Sequence, residues 1–214
     1  MAQGAGFGRK AAGFLSNLPM HRWILIITVV ALGLSSAFGG LRTAPERPAA
    51  VDTPIDGGPW KVTITGARLV GELPPMYLSD KKNYWIVVLA TIEITADQTW
   101  RYLTQTVQLA PTKGVKGNLS ETMAGAAYHP NSGIVLLRDV TVVDQLNPGM
   151  PEKLAFFWEL EANAPIPSEV KVYIGVRKYR MDNLTSKMEW MDHSELNKPV
   201  VVPVVDRRAE SASS

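Results

Sequence analysis

The sequence predicts an all-β fold, two antiparallel sheets packed face to face, preceded by a single N-terminal transmembrane helix. Three observations predict it. Trp23 to Gly40 carries no charge over 18 residues, enough at a rise of about 1.5 Å per residue to cross most of a hydrocarbon layer roughly 30 Å thick. From Trp60 onward, apolar runs of period two recur between Pro, Gly and Asn punctuation, the pattern of half-buried strands. No stretch between those runs has helical periodicity, so the crossover helices of a parallel α/β sheet have nowhere to go.

The apolar span organises its surroundings. Residues 1–22 hold Arg9, Lys10 and Arg22 and no acidic residue, and positive charge beside a span favours retention on the cytoplasmic side. They read as an unstructured cytoplasmic segment, with 23–40 as a transmembrane signal anchor in the lipid bilayer of the cell membrane and the C-terminal part extracytoplasmic. Trp23 suits an interfacial anchor. Gly33, Ser35, Ser36 and Gly39 are small enough to let a partner helix approach closely. The rival is a cleavable signal peptide, with Ala37 and Gly39 placed as in a small-residue cleavage site before Gly40. Residues 41–59, with Pro45, Pro48, Pro54 and Pro59, read as an extended, solvated linker.

The formal charge of +2 divides unevenly along the chain. Residues 1–22 hold three of the 22 Lys and Arg and none of the 20 Asp and Glu, which leaves 19 against 20 elsewhere, or −1. The basic excess is a topology signal, and the exported part lacks the cationic patch that nucleic-acid binding needs. The absence of cysteine removes disulfides, thiolate nucleophiles and lipid attachment through a cysteine. About 170 residues remain after the span, a comfortable length for one domain with its own core.

The strands follow in order across residues 60–205. Val62 and Ile64 share one face, and after Gly66 the apolar parity shifts to Ala67 and Leu69, as at a β-bulge. Pro74 and Pro75 end the run. Tyr84 to Ala96 is the strongest strand: Ile86, Val88, Ala90, Ile92 and Ile94 form one apolar face, and Trp85, Val87 and Leu89 make the first half apolar on the other side too. Either a loop of the same chain or a partner covers that second patch, and the chain's own loops are the expected cover. A short strand over Thr106 to Leu109 precedes a long polar loop. Ile134 to Leu137 and Val140 to Val143 come next, then Asn147-Pro148-Gly149, where Pro suits the first corner of a type II turn and Gly the positive φ of the second. Leu154, Phe156, Trp158 and Leu160 alternate with Glu159 and Glu161, which are expected to face out. Val170, Val172, Ile174 and Val176 line a further strand, with Lys171, Tyr173 and Arg177 on its exposed side. Pro203 confines the last run, Pro199 to Val205, to an edge or a bulge. Residues 206–214 read as a disordered tail.

An early strand beginning at Trp60, the apolar strand YWIVVLATIEI and the run LNPGMPEKLAFFWEL together resemble the immunoglobulin-like, telokin-like extracytoplasmic domains of Gram-positive lipoproteins and membrane-anchored proteins of unknown function. The resemblance covers roughly residues 60–205. It implies an immunoglobulin-like antiparallel β-sandwich that serves as an accessory or binding domain, with no catalytic residues to carry over.

Candidate chemistry is sparse. Among the histidines, His21 flanks the span, and His129, in a Tyr-His-Pro turn, is expected to be exposed. Glu189, Asp192 and His193 offer oxygen and nitrogen ligands, but on a segment read as a polar connection, so no metal is expected. No G-x-S-x-G elbow, H-E-x-x-H pair, P-loop or G-x-G-x-x-G is present, so neither an enzyme nor a cofactor is expected. Asn118-Leu119-Ser120 and Asn183-Leu184-Thr185 match glycosylation sequons, a match that chance often produces. Trp60 and Trp158 are expected in the core. Trp100, Tyr102, Tyr128 and Trp190 form the candidate partner or ligand surface, because exposed aromatic rings mark binding sites. Within the membrane, Gly33, Ser36 and Gly39 are the candidate helix contacts.

The function that follows is a single-pass, membrane-anchored interaction domain, an accessory subunit of an envelope protein complex or transporter with a membrane or envelope protein as partner. The alternative is a cell-wall or carbohydrate-binding module, anchored or released.

Overall fold

In the computed structural model the described residues are 48–101, 103–117, 119–121, 127–193 and 198–211. Residues 1–22 and the apolar stretch 23–40, with Gly33, Ser36 and Gly39, lie outside them, and so does Tyr102. Among the described residues no helix is long and apolar enough to cross a membrane.

The described chain is all-β. Its strands are β1 (Ile55–Asp56), β2 (Trp60–Val70), β3 (Tyr84–Ile94), β4 (Trp100–Arg101), β5 (Val107–Leu109), β6 (Ser120–Glu121) and β7 (Ala127–Tyr128). After these come β8 (Gly133–Leu136), β9 (Gln145–Leu146), β10 (Glu152–Leu160), β11 (Glu169–Ile174), β12 (Arg177–Met181), β13 (Met188–Asp192) and β14 (Lys198–Asp206). The main ladder runs β5-β11-β14-β2-β3-β10-β8, with β1 added on β2.

β2 and β3 pair over their whole length, and the register slips between Ile64 and Gly66, where the change of parity predicted a bulge. The slip lets Val62 and Ile64 before it and Ala67 and Leu69 after it all point inward, each at most 2% exposed. β14 joins the two halves of the fold. Its first part pairs antiparallel with β11 as far as Pro203, and its last three residues, from Val204 to Asp206, pair parallel with Ala67 to Leu69 of β2. Pro203, with no N–H to give a ladder, stands where the strand changes partner. So β14 is an interior strand of the ladder, and its proline is accommodated by the changeover.

The inner faces of both halves meet in one core. Ile86, Val88, Ala90, Ile92 and Ile94 of β3 share a buried cluster with Phe156 and Trp158 of β10, Val170, Val172 and Ile174 of β11, and Val200 and Val202 of β14. With no long helix among the described residues to cover them, the complete burial of these faces comes from the β5-β11-β14 half lying over the β2-β3-β10 half, a two-layered, sandwich-like body. Burial of each large apolar side chain contributes on the order of 2 kcal/mol. Two of the three buried tryptophans also satisfy their indole N–H: Trp60 Nε1 donates to the Gly175 carbonyl at 2.9 Å and Trp158 Nε1 to the His129 carbonyl at 2.9 Å, whereas Trp85 Nε1 is buried without a partner.

The outer patch of β3 is covered from within the chain, as expected. Trp85 and Val87 cluster with Val135, Ala155 and Phe157, and Met76 and Leu78 of the 71–83 connection pack over them. That connection is fastened by Glu159, which the alternation on β10 assigned to the surface and which is in fact 7% exposed. Its carboxylate accepts from the Ser79 N–H at 3.1 Å, the Ser79 hydroxyl at 2.7 Å and the Asn83 amide at 2.5 Å. Lys116 Nζ lies 3.5 Å away. Period-two reasoning fails here because the outer face of β10 has a lid, and a carboxylate under a lid is kept by its hydrogen bonds.

Several other expectations are corrected. His129 is buried at 6% exposure, since its backbone N–H bonds to Leu109 and its carbonyl to Trp158. Val140 to Val143 forms no named strand; Val142 makes one bridge to Val135, and Val140 turns the chain at φ 58°. Gly149 has φ 73°, as the turn requires. The second half of the expected linker belongs to the body: Ala49 bridges Val200, and β1 pairs with β2. In the expected tail, Arg208–Ser211 forms a helical turn.

Candidate functional site

β12 and β13 form a hairpin apart from the main ladder, in a stretch that reads in sequence as a polar connection. Its register sets Tyr179 opposite Trp190 and Met181 opposite Met188. Cross-strand partners share a face, so these four apolar side chains lie on one side and Lys178, Arg180, Glu189 and Met191 on the other. Tyr179 and Trp190 touch, with ring centroids 5.3 Å apart. Tyr179 is 55% exposed and Met181 59%, far more than a hairpin built for packing would leave.

The root of the hairpin is held firmly. The Arg177 N–H donates to the Gly57 carbonyl at 2.8 Å. Gly58 sits at φ 92°, and a Cβ there would lie 2.3 Å from the Arg177 carbonyl oxygen and 2.9 Å from the Trp190 ring. Only glycine allows both the conformation and the approach. The same short segment fastens the segment after β3: Thr95 and Ala96 donate their N–H groups to the Pro59 carbonyl at 2.9 and 3.1 Å, and the Thr95 hydroxyl donates to the Gly58 carbonyl. Gly57, Gly58 and Pro59 thus form a common base for two walls.

Between those walls is an open cleft of about 760 Å³. Trp100, Tyr179 and Trp190 line it together with Thr95, Asp97, Gln98, Met188 and Glu189. Trp100 is set by β4, whose two residues pair with β9, and by an edge contact with Trp60 at 5.0 Å between centroids. The Arg177 guanidinium lies over the Trp100 ring at 5.3 Å and over Trp60 at 5.7 Å, donates to the Trp190 carbonyl and bonds to Gln105. Burial lowers the pKa of Arg177, and the charge of Asp192 works against that shift. Arg177 was expected on an exposed strand face; it is half-buried because it stacks on two indoles.

Of the four aromatic residues singled out from the sequence, Tyr102 lies outside the described residues and the other three separate. Trp100 and Trp190 come together in one cleft. Tyr128 lies on β7, paired with β6, and is not among the cleft residues. Tyr179, Asp97, Gln98 and the Gly57-Gly58 base were missed. Their signal was present in RKYRM and MEWMD, two short alternating runs on either side of Asp-Asn-Leu-Thr, where Asp182 accepts from the Leu184 N–H and the Thr185 hydroxyl as a turn-forming residue does. Glu189 and Asp192 fall on opposite faces of the hairpin, and among the described residues no three Asp, Glu, His or Cys side chains are grouped to hold a metal.

Elsewhere, His129 keeps Nδ1 buried without a partner. Burial lowers its pKa, against a hydrogen bond with the Thr112 backbone that raises it. At Glu159, burial acts to raise the pKa, but the Asn83 and Ser79 hydrogen bonds and the Lys116 ammonium together outweigh it and hold the carboxyl below its ordinary value. Both groups lie among the supports of the body.

No family model matches the chain, and no curated protein matches it. Among solved structures, a functionally unknown protein from Listeria monocytogenes EGD-e aligns with a TM-score of 0.38 and 14% identity, over 77% of this chain and 88% of that one. The chain is also structurally similar to an uncharacterized β-sandwich protein from Clostridium difficile 630, with a TM-score of 0.42 and 10% identity over 76% of this chain and 97% of that one.

Proposed function

We propose that the chain is a membrane-anchored extracytoplasmic binding domain: residues 23–40 span the bilayer once, and an immunoglobulin-like sandwich of the telokin-like class presents the hairpin cleft to an envelope partner. The observation that carries it is the cleft itself. Aromatic side chains are held half-exposed on a base of hydrogen-bonded backbone, Trp100 against the edge of the core and Tyr179 and Trp190 beyond it, and that arrangement suits contact with something outside the chain. A catalytic role has no comparable support, since the cleft joins rings and carboxylates to no histidine, serine nucleophile or metal cluster among the described residues. The anchor is supported by the uncharged stretch and the basic residues before it.

Fractionation of cells followed by protease treatment of spheroplasts tests this. The full chain should sediment with membranes, resist carbonate extraction and lose its C-terminal domain to external protease. Full-length chain that washes free of membranes, or stays protected from protease in intact spheroplasts, overturns it.

A further inference from the structure

Resting on the reading of the cleft as the binding surface, we infer that its ligand is a neutral saccharide chain, seated on the rings of Trp100, Tyr179 and Trp190. Three features of the site select this class. Rings half-exposed in one cleft offer flat apolar faces, and the C–H face of a pyranose is the common biological surface that is flat, weakly apolar and ringed by hydroxyls. The hydroxyls need hydrogen-bonding partners beside the rings, and Asp97 and Gln98 stand there as a strong acceptor and an amide that both gives and accepts. The cleft is open, with a volume of about 760 Å³, which suits a run of a few sugar units entering and leaving along a longer chain.

Charge narrows the class. The wall opposite the hairpin brings an acidic side chain, Asp97, to the cleft, while Arg177 is engaged beneath with Trp60, Trp100 and Gln105. A uronate or phosphate-bearing glycan would meet the like charge of Asp97, and an anionic lipid surface would be repelled in the same way. A peptide added as an extra strand would require a free strand edge in the cleft, whereas β12 and β13 turn the Tyr179, Met188 and Trp190 face toward it.

The test uses the full chain in detergent micelles, titrated with a β-1,4-linked N-acetylglucosamine hexamer and, separately, with a galacturonic acid hexamer, and followed by calorimetry and tryptophan fluorescence. The neutral hexamer should bind and shift the indole emission. Trp190→Ala and Tyr179→Ala should each weaken it about tenfold or more while the melting temperature stays near that of the parent. The acidic hexamer should bind at least about tenfold more weakly, with a gap that narrows in high salt. Equal binding of both hexamers overturns the assignment to neutral glycans. Absence of binding to either at millimolar concentration overturns the saccharide assignment altogether. In that case a photo-crosslinker at position 179 that joins one membrane protein, and fails to do so in Trp190→Ala, would leave the binding-domain reading standing with a protein as occupant. Silence in both assays removes that reading too.

Discussion

Two pairs of tryptophans divide this molecule into a region built for stability and a region built for contact. Trp60 and Trp158 are fully buried, and each gives its indole N–H to a backbone carbonyl. Trp100 and Trp190 are half-buried around an open cleft; Trp100 touches Trp60 edge-on, and the other neighbours are an arginine, a tyrosine and a few polar side chains. The same residue type serves opposite ends in the two places. What separates them is the cover: a second sheet closes over the first pair, while only one wall backs the second.

The comparison is broken most severely in the core. Trp158→Ala should lower the unfolding free energy by about 3–5 kcal/mol, since a large cavity and an unpaired His129 carbonyl are left behind; chemical denaturation measures it. Glu159→Gln comes next. It keeps the volume but strips the charge from a carboxylate with four partners, and should cost about 1–3 kcal/mol near neutral pH.

Acid should act on the stable region in two steps. His129 has its pKa lowered from an ordinary 6.5, so the unfolded chain takes up its proton first and stability falls as pH drops below about that value. Glu159 is lowered from an ordinary 4.5, so its contribution is complete above that value and is lost as pH falls through the folded-state value beneath it. Melting temperatures recorded from pH 8 to pH 3 should therefore decline in two stages. His129→Gln should remove the upper stage and Glu159→Gln the lower one.

Smaller effects sharpen the contrast. Val140 is β-branched yet sits at φ 58°, so Val140→Gly should cost nothing and gain up to about 1 kcal/mol by relieving the strained conformation. Trp190→Ala should change stability by less than about 1 kcal/mol, because the ring is partly exposed and packs on an exposed tyrosine and the Gly58 backbone; a loss as large as that of Trp158→Ala would place the hairpin with the core and dissolve the distinction.

The body was legible in the sequence to the extent that one side of a strand saw the core and the other saw water. The inner faces of β2, β3, β10 and β11, the bulge at Gly66 and the positive φ at Gly149 all follow from local pattern. Glu159 and His129 did not, because their burial depends on segments, 71–83 and 107–115, that fold over them from far along the chain. The cleft was half visible. Trp100 and Trp190 stood out as rings outside any apolar stripe, but the hairpin that brings Tyr179 beside Trp190 has an apolar face too short to outweigh its charges. Gly57 and Gly58 looked like flexible spacer until Arg177 and Trp190 were found pressed against them.

The double pairing of β14 has a consequence for how the domain comes together. Residues 198–203 complete one sheet and residues 204–206 brace the other against Ala67 to Leu69, about 137 positions earlier in the chain. Contacts so distant form late and slowly. Among the described strands the β5-β11 pair reaches the rest of the ladder only through β14, so the two layers cannot be joined by backbone pairing until that strand arrives. The final strand acts as a clasp, and trimming it back to Pro203 should loosen both layers at once.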